Sequence, residues 1–81
     1  MDAAERRLPL KKLHELLDEH LGNRPLVVSI KQSRLTDADG YVNSAKLNLM
    51  RSLLSHERDK ISDNQSKEHF NTVLKALASF I

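Results

Sequence analysis

Residues 25–43 read PLVVSIKQSRLTDADGYVN, and the conformation of the first third of this stretch decides the fold class. Residues 26–30, LVVSI, are short and rich in β-branched side chains, which favours an extended segment because branching at Cβ crowds a helical turn. A lone strand, however, leaves its own backbone donors and acceptors unpaired. The segment must therefore pair with a second stretch around Tyr41-Val42, pair with another subunit, or be a short buried helix instead. The extended reading over 26–31 is the expectation adopted. The tetrapeptide DADG at 37–40 reads as a turn on composition.

On the N-terminal side, PLKKLHELLDEHLG places Leu10, Leu13, Leu17 and Leu21 on one helical face, with Leu16 widening the stripe. Pro9 suits the first helical position, where its missing N–H costs nothing, and Gly22-Asn23 followed by Pro25 closes the helix. A helix over 9–21 is predicted, preceded by a polar, flexible tail over 1–7 with nothing to pack. On the C-terminal side, Asn43 or Ser44 caps a helix over 44–58 with Leu47, Met50, Leu53 and Leu54 turned inward. Ser62 and Gln65 have capping-box spacing ahead of a last helix over 63–80, whose stripe is Phe70, Val73, Leu74, Leu77 and Ile81. The link between the last two is short, so they should form an antiparallel hairpin. The predicted fold is mainly α: three helices and one short extended segment in a single small domain over 8–81.

Composition narrows the function classes. At 81 residues only about two-thirds of the unfolded chain's surface is buried on folding, so a small domain usually gains from disulfides, a metal or association. With no cysteine, disulfides, thiolate metal sites and thiol nucleophiles are excluded, which leaves association. Thirteen basic against eleven acidic residues give a net charge of +2 with no basic block behind it. No apolar run reaches membrane-spanning length and the N-terminus lacks the apolar core of a signal peptide, so the expected location is cytoplasmic, with no membrane partner.

Chemistry-bearing spacings are missing. Aligning Gly40 with the glycine of a calcium loop puts Leu35 at the first ligand position and Lys46 at the last, where carboxylates are required. The four histidines, His14, His20, His56 and His69, form no H-x-x-x-H or E-x-x-H pair; His14 and Asp18 could touch, and His20 is a half-buried helix-end residue or a pH-sensitive interface residue. No serine lies in a G-x-S-x-G elbow, and two glycines make no phosphate loop. No enzyme activity, metal or cofactor is expected.

A nucleic-acid face would draw on Lys31, Arg34, Lys46, Arg51, Arg58 and Lys60, with only Tyr41, Phe70 and Phe80 to stack on bases. The leading expectation is different. The chain carries more large aliphatic and aromatic side chains than three short helices enclose, and it ends in Phe80-Ile81. Some of Leu16, Leu49, Leu53, Phe80 and Ile81 should thus remain exposed on a monomer, and contiguous apolar surface marks a binding face. The candidate protein-interface set is Leu49, Leu53, Phe70, Leu77, Phe80 and Ile81. It implies a non-enzymatic regulatory or adaptor protein that binds a protein partner and forms a homodimer; the alternative is a dimeric nucleic-acid-binding regulator.

The second half, through the glycine turn DGYVNSAKL entering one helix and KEHFNTVLKAL in the last, resembles the small biofilm-development proteins, also called two-component-system connector proteins. The likeness spans residues 39–80. It implies a helical dimer that regulates stress or surface-growth genes through a signalling partner or DNA. LVVSI and the long 22–42 connection depart from that pattern, and no functional residue is carried over.

Overall fold

The computed structural model describes residues 7–80, which form four α-helices: α1 Leu10–His20, α2 Pro25–Gln32, α3 Ser44–Asp59 and α4 Asn64–Ala78. The expected extended segment at 26–31 is helix α2, so the fold has four helices where three were predicted. Three features outweigh the β-branched composition. Pro25 stands in the first turn with its φ already helical, after an extended Arg24. Val27 and Ile30, three apart, turn one face into the core. A helix also satisfies its own backbone, which a lone strand here would not.

α1 begins after Pro9, whose backbone is extended, one residue later than predicted. Leu13, Leu16 and Leu17 are all buried in it. Leu16, one of the candidates for exposure, belongs to the core. The helix closes on Gly22 (φ 63°), whose N–H reaches the Leu17 carbonyl at 3.2 Å.

The extended backbone of the molecule lies elsewhere. Tyr41-Val42 is sandwiched by two isolated antiparallel bridges, Pro9 with Tyr41 and Thr36 with Val42. Val42 N–H donates to the Leu8 carbonyl (2.7 Å), Leu10 N–H to Gly40 (3.2 Å) and Asn43 N–H to Leu35 (2.8 Å). Asp37 N–H donates to the Tyr41 carbonyl and Gly40 N–H to the Asp37 carbonyl, closing a three-residue hairpin loop in which Gly40 (φ 86°) holds the left-handed position. Tyr41-Val42 does pair, then, but with 8–10 and 35–37 and not with α2.

Asn43 caps α3: its side-chain oxygen accepts from the Ala45 and Lys46 N–H groups, at 2.9 and 3.3 Å, and its amide donates to Asp37 at 3.0 Å. Residues 60–63 lead directly into α4, which packs on α3 in the most extensive helix contact and also on α1. The cap of α4 is Asp63, not the Ser62–Gln65 box; its carboxylate accepts from the Ser66 N–H and hydroxyl, which holds it below its ordinary pKa of 3.8.

The core is one cluster drawn from all four helices and from Leu8, Leu35 and Val42. Arg24, just before α2, lays its guanidinium 5.1 Å from the centre of the Phe70 ring on α4, covering the core's only fully buried aromatic among the described residues.

Two substitutions probe the paired segment. Asn43→Ala should lower unfolding free energy by about 1 kcal/mol, and Gly40→Ala, which meets no neighbour within 4 Å and suffers only from φ, by a similar amount. Each should move Tm by roughly 4–8 °C in thermal melts. An unchanged Tm for both would show that the hairpin does not contribute to the cooperative unit.

Candidate functional site

The candidate site is an open groove of about 370 Å³ between α2 and α3. Its base is apolar, formed by the buried Ile30, Leu35 and Met50, and Leu26 on α2 and Leu49 and Leu53 on α3 line its sides. Arg34 and Lys46 stand at its margin, and Ser33 turns its hydroxyl back to the Ser29 carbonyl at 2.8 Å. Leu49 and Leu53 are one turn apart on α3 and 56% and 44% exposed, the largest exposures of any large apolar side chain among the described residues; Val28, at 41%, does not line the groove. Leu53, counted both on the inward stripe of its helix and among the exposed candidates, faces out.

The other proposed interface residues go elsewhere. Phe70 and Leu77 are 1% and 0% exposed and belong to the core, because α4 packs on both α1 and α3 and has no free apolar face at those positions. Phe80 is partly buried against the same core. Ile81 and residues 1–6 of the predicted tail lie outside the described residues.

The six cations of the nucleic-acid reading do not share one face. Lys31 pairs with Asp18 at 2.7 Å, and among the described residues no hydrogen bond or ion pair joins His14 to Asp18. Arg34 and Lys46 belong to the groove. Arg51 and Arg58 line a separate polar cleft of about 400 Å³ on α3 with Ser52, Ser55 and Leu74 of α4. Arg58 is held there by Asn71 (2.9 Å), Ser55 (3.1 Å) and Asp59 (3.2 Å), and Lys60 is exposed at the C-cap of α3. Among the described residues, His14 Nε2 and Arg51 Nε are buried without a hydrogen-bond partner.

The DADG turn holds a cation of the chain's own. Arg7 hydrogen-bonds both carboxylate oxygens of Asp39, approaches Asp37 at 3.5 Å and stacks 4.5 Å over the Tyr41 ring. Asp37 also accepts from Asn43. No group of three or more metal-ligating side chains occurs among the described residues. No spacing within the chain signals Arg7, which lies 32 residues from Asp39. The hydrogen bond from Arg7, then the Tyr41 N–H, pull the Asp39 carboxyl below its ordinary 3.8, while the same pairing raises Arg7.

No family model matches this chain, and neither a curated protein nor a solved structure matches it. No described helix is long and apolar enough to cross a membrane.

Because the Asp39 pKa is lowered by folding, its contribution is complete at neutral pH and is lost as pH falls through the region below 3.8. Asp39→Asn should therefore be less stable than the parent at pH 7, and the difference should shrink as pH falls from 5 to 2, read by urea titrations at each pH. A constant difference would contradict the Arg7 pairing. Millimolar calcium should leave the parent's Tm unchanged, since a ligand of the native state must raise it.

Proposed function

We propose that this chain is a small, non-enzymatic regulatory or adaptor protein of the cytoplasm that docks proteins in the α2/α3 groove and self-associates. The observation that carries the reading is the pair Leu49 and Leu53, the most exposed large apolar side chains among the described residues, placed beside an apolar concavity. A groove between two helices accepts a ridge of side chains from a third, and an amphipathic helix with apolar residues at turn spacing is its natural ligand. The mechanism is occlusion or bridging of the bound partner. The absence of cysteine suits a reducing compartment. The resemblance of residues 39–80 to the biofilm-development connector proteins supports a role in gene regulation. Nucleic-acid binding is the weaker alternative, because its cations are divided among separate places and Lys31 and Arg58 already have acidic neighbours; it requires binding that weakens steeply with added salt.

A photo-crosslinking amino acid placed in host cells at Ser33, in the groove, or at Glu15, on the exposed side of α1, tests the docking reading. Discrete protein adducts are expected from Ser33 and not from Glu15, and Leu53→Glu should suppress them. Equal adducts from both positions, or adducts indifferent to Leu53→Glu, would contradict it.

A further inference from the structure

We infer that the groove's occupant is a second copy of this chain, with its α3 laid antiparallel across the first about a two-fold axis. This rests on the α2/α3 groove being a docking face and adds which molecule fills it and in which orientation.

The argument comes from the order of side chains along the outer stripe of α3. Lys46, Leu49, Leu53 and Glu57 follow one another at spacings of three, four and four, so they stand on successive turns of one face. Within α3 the stripe has a cation in its first turn, an anion in its last turn and the two exposed leucines between them, with Lys60 following Glu57 at the C-cap. Among the described residues, neither Lys46 nor Glu57 forms an ion pair within the chain. An isologous contact requires a surface that complements itself under a two-fold rotation. Turned end for end, a second α3 sets Lys46 against the partner subunit's Glu57 and Leu49 against the partner subunit's Leu53, and the two-fold repeats both contacts. A parallel copy would set like charge on like charge at each end, so the charge order selects the antiparallel orientation.

The groove gives this ridge somewhere to go. The partner's leucine pair enters beside the apolar base of Ile30, Leu35 and Met50, and Arg34 at the margin adds a second cation near the incoming carboxylate. A single helix pair buries less than the roughly 1,200–2,000 Å² of a standard interface, so the dimer is weak, reversible and sensitive to salt.

Sedimentation velocity over a micromolar-to-millimolar concentration series tests this, with circular dichroism confirming that each variant is folded. The parent should show a reversible monomer–dimer equilibrium. Glu57→Lys and Lys46→Glu should each weaken it by at least about tenfold, because both like-charge contacts recur across the two-fold. An equimolar mixture of these two variants should associate again, since every contact in the mixed dimer is then between opposite charges. Leu53→Glu should abolish association in any background. A dimer lost with Leu53→Glu but indifferent to the charge reversals would overturn the antiparallel register and leave the docking face standing. A parent that stays monomeric throughout would overturn the self-pairing; adducts from Ser33 to a different protein would then still support the adaptor reading, and their absence would remove both.

Discussion

Val42 is held between two backbones, and the rest of the molecule takes its geometry from that. Its N–H is bound to Leu8 and its neighbour Asn43 is bound to Leu35, so the entrances to α1 and α3 and the exit from α2 meet at one place. Asn43 then does two things at once: it caps α3 through Ala45 and Lys46 and grips the hairpin loop through Asp37. A helix fixed at its first turn has its rotation fixed along its length. That rotation buries Leu47, Met50 and Leu54 and turns Leu49 and Leu53 outward. The candidate docking face is in this sense a consequence of backbone pairing some distance away from it.

Much of this was legible in the residues. The leucine period of α1, the glycine exit at Gly22, the Asn43 cap and the apolar stripe of α4 all announced themselves, because each depends on neighbours within a few positions in the chain. The conformation of 25–32 was not legible, since β-branched composition argues locally for a strand while Pro25 and the buried pair Val27 and Ile30 make a helix in context. The short pairing of 8–10 with 40–42 and the grip of Arg7 on the DADG turn join residues about thirty apart, and no periodicity reports such contacts.

The conformation of 25–32 also bears on the site. Counting three helices makes the apolar side chains too numerous to hide, and it puts Leu16, Phe70 and Leu77 among the surface candidates. α4 packs on both α1 and α3, and α2 and the segments carrying Leu8, Leu35 and Val42 join the same core, so the excess shrinks to a few positions. What is left is more informative for being small. Two leucines at turn spacing, flanked by one unpaired cation and one unpaired anion among the described residues, form a stripe with a direction, and a stripe with a direction can specify how its partner lies.

The most direct measurement is an isotope-filtered NOE experiment at millimolar protein on an equal mixture of methyl-labelled and unlabelled chains. Contacts between Leu49 methyls of one molecule and Leu53 methyls of another, with none between Leu49 and Leu49 at the ends of a parallel pair, are the result this account requires. Intermolecular contacts that leave Leu49 and Leu53 out, or none at all, would contradict it.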